Sequence, residues 1–312
     1  MSFGLQLWPQ QTTWPDYREA ALAAEAAGWD SVWAWDHLLA IQGPWEQPIL
    51  EGWGVLHAVA AITSRVRIGL MVGANTFRNP GVTTKLATTL DHVSDGRAVL
   101  GIGGAWFERE HEAFGIDFGA SVGERLDRLE EAVPLMRRLF DGERVSHQGR
   151  FYTLVDALCE PRPIQAHLPI LVGGSGPRKT LRTVARHGDA WNTSGDVETL
   201  RARLEILAGH CAAAGRDMAE IELTVSFPTI IRDTVEAAED VRAAQLAANG
   251  LPDPRTNPSA EVVPTLMGSP ATIAGTLGPY RELGFSTVIV RMPAPFDRET
   301  IDRLPEVLAL LG

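Results

Sequence analysis

Apolar and polar positions along this chain fall into two kinds of block, and the two kinds alternate from end to end. Short apolar runs, bounded by Gly, Pro or polar residues, predict strands over 3–8, 29–35, 66–73, 97–103, 169–174, 189–192 and 220–231. Longer segments with apolar residues every three or four positions predict helices over 14–28, 54–63, 80–94, 121–141, 178–187, 197–214 and 234–249. The 121–141 segment is the clearest, because Val122, Leu126, Leu129, Val133, Met136 and Leu139 form one stripe. The first helix has Pro15 at its entry and Gly28 at its end, the usual asymmetry of helix termini. Residues 144–154 read as a small β-excursion that turns at Gln148-Gly149.

Strands separated by helices imply right-handed βαβ units and a parallel sheet. An internal echo favours closure of that sheet. "EAAGWDSVW" near the start and "RELGFSTVI" near the end share a helix terminus, a Gly, an aromatic residue, two small or polar residues and an apolar strand. The same unit at both ends suits an α/β fold of the (β/α)8 TIM-barrel type, one domain over 1–312 with insertions at the C-terminal face of the strands. Residues 251–265 hold four prolines and little periodicity, so they read as a loop, either a lid or a plain surface segment.

Composition narrows the partners. The formal charge of −11 repels nucleic acid and anionic membrane surfaces, and neither is expected to bind. No apolar run reaches the ~18 residues of a membrane span. The first residues lack a basic segment followed by an apolar one, so a cytoplasmic protein is expected. The two cysteines, Cys159 and Cys211, form no disulfide framework and suit that reducing compartment.

Barrel active sites lie at the C-terminal ends of the strands, and four such ends carry candidate chemistry. In "SVWAWDHLLA" an apolar strand stops at Asp36-His37, and His is the side chain most easily tuned to exchange protons near neutral pH. The alternative is structural: Asp36 caps the next segment and His37 covers the barrel top. In "GIGGAWFEREHEAFG", Gly103 and Gly104 allow backbone to approach a flat ligand, yet Trp106 stands where a dinucleotide fingerprint needs its third glycine. Glu108, Glu110, His111 and Glu112 follow without a second histidine at ligand spacing, so no metal site is expected. "ILVGGSGPRKT" places Gly173, Gly174, Ser175 and Gly176 between a strand and a helix start, where free N–H groups and the helix dipole suit a phosphate. In "LMVGANTFRNP", Asn75, Thr76 and Arg78 could bond a ligand edge or belong to a surface loop. A Schiff-base aldolase would need a lysine on a strand, whereas Lys85 and Lys179 fall in predicted helices.

In order along the chain, these stretches resemble the bacterial-luciferase-like flavin and deazaflavin oxidoreductases, and "LQLWPQ", "EGWGVLHAVAAIT" and "RNP" resemble the branch that uses coenzyme F420, a deazaflavin. The resemblance implies a cofactor in the barrel mouth and a bulge with a non-prolyl cis peptide at Met71-Val72, behind the cofactor ring. It implies His37 as proton handler with Asp36 holding it, and Asn75, Gly103, Gly104 and the 173–176 loop as cofactor contacts. It implies hydride transfer between F420 and a small organic substrate; homodimers are common among barrels of this kind. A monooxygenase using reduced FMN and oxygen, and a non-catalytic flavin-binding barrel, are the alternatives. Some deazaflavin relatives carry a glutamate where Gly104 stands, which puts a sugar-phosphate dehydrogenase in doubt and favours an apolar substrate. Trp45, Trp53 and Trp106 would suit that pocket, or else the core.

Overall fold

In a computed structural model, which describes residues 1–256 and 264–311, eight parallel strands close into a ring. They are Ser2–Leu7 (β1), Ser31–Ala34 (β2), Arg67–Leu70 (β3), Ala98–Gly103 (β4), Ile170–Gly173 (β5), Ala190–Thr193 (β6), Glu222–Ile231 (β7) and Thr287–Met292 (β8). Spatial neighbours follow chain order, and β8 closes on β1 with Gln6 opposite Arg291. This is the (β/α)8 barrel expected from the pattern.

Strand alternation divides the core in two. Trp33, Val99, Leu171, Ala190 and Ile289 point inward and fill the barrel, with Met71 packed among them. The intervening residues, such as Val32, Leu100, Val172, Val288 and Val290, point outward and pack with the surrounding helices. Each such side chain contributes about 1.5–3 kcal/mol on full burial.

Helix Val122–Phe140 starts at Ser121, whose hydroxyl accepts the Glu124 N–H at 3.1 Å. Leu129, Val133 and Met136 of the predicted stripe are buried against the barrel. The first two members behave differently: Val122 is 61% exposed and both it and Leu126 border the mouth of the barrel. The β-excursion is an antiparallel hairpin, Val145–Gln148 with Thr153–Ala157. Glu131 secures its turn by accepting the N–H groups of Phe151 and Tyr152.

A two-turn helix, Glu108–Phe114, was not legible in the sequence because seven residues are too few to show a period. Residues 257–263 of the predicted loop lie outside the described residues. Cys159 and Cys211 are buried free thiols. Among the described residues, no helix is long and apolar enough to cross a membrane.

Candidate active site

At the C-terminal ends of the strands lies a cavity of about 660 Å³. Asp36, His37, Met71 and Val72 line one side of it; Gly103, Gly104 and the loop Gly173, Gly174, Ser175 and Gly176 line another. Asn75 does not line it. Its amide nitrogen donates to the Tyr152 hydroxyl at 2.9 Å, and its Oδ1 is buried without a partner among the described residues. Thr76 and Arg78 are likewise engaged within the protein, with His111 and Asp36.

The partner of His37 is not Asp36. Glu110, from the short helix, accepts the His37 Nδ1 proton at 2.8 Å and the Leu38 N–H at 2.8 Å. Glu110 is 1% exposed and His37 9%. A carboxylate holding Nδ1–H fixes the imidazole's tautomer and leaves Nε2 as the working nitrogen. Nε2 makes no hydrogen bond among the described residues, and His37 lines the cavity. The rings of Trp35 and Trp106 meet the imidazole edge-on at centroid distances of 5.8 and 5.7 Å, which holds its plane.

Asp36, expected to hold His37, instead takes a bidentate pair from Arg78 at 2.6 and 3.0 Å and the Ala74 N–H at 2.9 Å. Burial pushes its carboxyl above the usual range, against the opposing pull of Arg78 and the Ala74 N–H. The group therefore positions the segment after β3 rather than the imidazole. Removing Asp36 would leave Arg78 with Glu51 alone, at 3.1 Å. Asp36→Ala is expected to cost about 3–5 kcal/mol of unfolding free energy, read as a lower urea midpoint. An unchanged midpoint would show that Arg78 finds other partners.

That segment forms the cavity floor. Gly69 pairs with Val99, whereas Gly73 pairs with Ile102, so β3 carries one residue more than β4 over this stretch and bulges. The Met71-Val72 peptide within the bulge is cis and non-prolyl, as the resemblance implied. The Met71 carbonyl accepts Gln6 Nε2 at 2.6 Å. Val72 then lies between two strand ends that must be glycine: a Cβ on Gly103 would come within 2.8 Å of Val72 Cγ2, and one on Gly173 within 2.7 Å of its Cγ1.

The 173–176 loop is held at Gly174. Its N–H donates to the Asn192 carbonyl at 3.1 Å and its carbonyl accepts Trp191 Nε1 at 2.7 Å. Gly174 has φ +116°, a conformation that side chains rarely adopt. The N–H groups of Ser175 and Gly176 have no partner among the described residues. The helix that follows, Thr180–His187, has no side-chain cap, whereas those starting at Trp14, Gly52, Pro80, Val122 and Val197 all have one. An uncapped helix start behind two unpaired N–H groups is a site for an anion.

The aromatic wall differs from the expected one. Trp53 is core and Trp45 stacks under Arg109 at 4.7 Å, so neither lines the cavity, while Trp106 does. Trp8 and Trp35, with centroids 4.6 Å apart, form the remaining wall and were not foreseen. Arg291, and Glu110 in the role of His37's partner, are further residues that sequence reading missed, as are polar lining residues such as Gln6, Asn192 and Ser226. Among the described residues, no three His, Cys, Asp or Glu side chains gather as a metal-binding group.

With this geometry in place, the similarities are informative. The profile of the luciferase-like monooxygenases matches residues 1–287. The F420-dependent glucose-6-phosphate dehydrogenase of Beutenbergia cavernae is 32% identical over 309 residues, covering 91% of this chain and 89% of the relative. The enzyme of that name from Kineococcus radiotolerans is 37% identical over 232 residues, covering 71% and 66%. Among solved structures, an F420-dependent secondary alcohol dehydrogenase in complex with an F420-acetone adduct superposes with a TM-score of 0.85. It is 22% identical, with 100% of this chain and 99% of that chain covered, and so speaks for the barrel alone.

Proposed function

Because the chain belongs to the luciferase-like monooxygenase family, we propose that it is a deazaflavin-dependent oxidoreductase acting on a small organic substrate with coenzyme F420. The observation that carries this reading is the His37–Glu110 pair, with Nε2 open beside a floor of backbone and glycine. When bound, the deazaflavin supplies or accepts the hydride.

The residues present fit such a group. The floor at Val72, Gly103 and Gly173 leaves no room for side chains, as a flat ring requires. The free N–H groups of Ser175 and Gly176 and the uncapped helix suit its phosphate. Glu110 holds Nδ1–H of His37, and Nε2 gives or takes the one proton that accompanies a hydride. Trp8 and Trp35 form an aromatic wall beside the reacting groups. Gly104 offers no side chain where some deazaflavin relatives carry a glutamate, which argues against a sugar phosphate as substrate.

The second reading is an FMN-dependent monooxygenase, since the same floor and loop fit a flavin and the family's name reflects that chemistry. A non-catalytic flavin-binding barrel is disfavoured by an imidazole held at Nδ1 by a buried carboxylate with Nε2 left free, which binding alone does not need. Separate titrations of the apo-protein with F420 and FMN decide between the cofactors. The deazaflavin is expected to bind at least tenfold tighter. Tight FMN binding with no measurable F420 binding would reverse the assignment.

A further inference from the structure

The cavity holds a positive charge that none of the chemistry above uses. Arg291 stands at the C-terminal end of β8, opposite Gln6 on β1 and Pro228 on β7. Its side chain shares the inward face with Ile289, two residues earlier, and it lines the cavity. Its Nε and Nη2 are buried and without a hydrogen-bond partner among the described residues. No acid among the described residues pairs with it. The two carboxylates in the cavity wall are already engaged, Asp36 with Arg78 and Glu110 with His37 and Leu38. Arg242 adds a second positive charge nearby, and burial together with Arg242 draws Arg291 below the usual guanidinium range. The guanidinium still stays charged, because its proton cannot be lost in the physiological range.

A guanidinium with buried, unpaired N–H groups is costly unless an anion completes it. Its fork of N–H donors matches two oxygens on one centre. The phosphate subsite proposed above is on β5, three strands away around the ring, so the two sites do not compete for one group. Gln6 and Ser226 line the cavity on the flanking strands, and beside them Trp8, whose backbone N–H donates to the Met292 carbonyl, and Trp35 form an aromatic wall with buried, unpartnered Nε1 atoms. One free fork beside an aromatic wall suits a single negative charge on an apolar body.

We propose that Arg291 receives the carboxylate of the substrate, so the enzyme acts on an organic acid with an apolar body. This rests on the oxidoreductase reading of the same cavity and names its substrate class.

The test uses the apo-protein, with intrinsic tryptophan fluorescence reporting from Trp8 and Trp35, and octanoate and octan-1-ol as probes. Wild type is expected to bind octanoate at least tenfold tighter than octanol. Arg291→Met should abolish that preference while still binding octanol, and Arg291→Lys should retain part of it. Retained octanol binding also shows that the variant cavity is intact. Equal affinity for the two probes in wild type, or a preference that survives Arg291→Met, overturns the proposal. It is also overturned if Arg291→Met weakens intact F420 more than its dephosphorylated nucleoside, because Arg291 then serves the cofactor's anionic part. Loss of the cofactor reading shows separately, as absent F420 binding by a wild type that still prefers octanoate.

Discussion

Replacing His37 with Ala is expected to lower turnover by about 10²–10⁴-fold, the usual contribution of a positioned acid or base, with little change in cofactor affinity. The split follows from position. His37 lies at the end of β2 with Nδ1 committed to Glu110 and Nε2 open, whereas the candidate anion loop follows β5 on another part of the ring. Loss of the imidazole therefore removes the proton route and leaves the anchor. Glu110→Gln should give an intermediate loss. A glutamine can offer Nδ1 a donor in place of an acceptor, which moves the ring proton to Nε2 and inverts what that atom can do. Measurement requires kcat with a substrate that the wild type turns over, beside the cofactor's Kd from titration. Unchanged kcat in His37→Ala removes His37 from the chemistry. Equal losses in kcat and binding would make it a wall of the cofactor site.

The barrel was legible because its signals are local. A strand reads from four to eight neighbouring residues and a helix from one stripe, and the β8 unit was recognised as a copy of the segment around β2. The glycine ends and Asp36-His37 were legible for a similar reason, since a polar or glycine residue after an apolar strand marks the mouth of a barrel. What failed was pairing at a distance. Glu110 is 73 positions from His37, on a helix too short for periodicity, and its neighbours invited comparison only with metal ligands. Asp36 follows the strand next to His37 and seemed its natural partner. Successive residues point different ways, however, and Asp36 meets Arg78, 42 positions on. Trp8 and Trp35 flank apolar strands just as Trp53 begins a helix, and composition does not tell which indole faces the cavity. Arg291 follows Val-Ile-Val and reads as the first solvated residue past a strand. Its inward direction comes from the register with Gln6.

The anion loop gives the second large effect, and one position separates charge from shape. Gly174 has φ +116°, so any side chain there strains the turn, and an added Cβ would touch Thr180 Cγ2 at 3.4 Å. Gly174→Ala carries that strain without charge. Gly174→Asp carries it with a negative charge beside the Ser175 and Gly176 N–H groups, the site assigned to the cofactor phosphate. Two charge-assisted hydrogen bonds at roughly 1.5–3 kcal/mol each would anchor a phosphate there, so a nearby carboxylate should cost on the order of 10–100-fold in affinity. Both variants should weaken the dephosphorylated cofactor by similar amounts, through shape. Only Gly174→Asp should weaken the intact cofactor further, and added salt should recover part of that extra loss, because repulsion between exposed charges is screened. The comparison needs wild type and both variants titrated with the two cofactor forms, and no knowledge of the substrate. If the Ala and Asp variants lose equal affinity for the intact cofactor, the loop shapes the barrel mouth and the phosphate is held elsewhere. Arg291, the one cavity cation without an acid partner among the described residues, then becomes the next position to test.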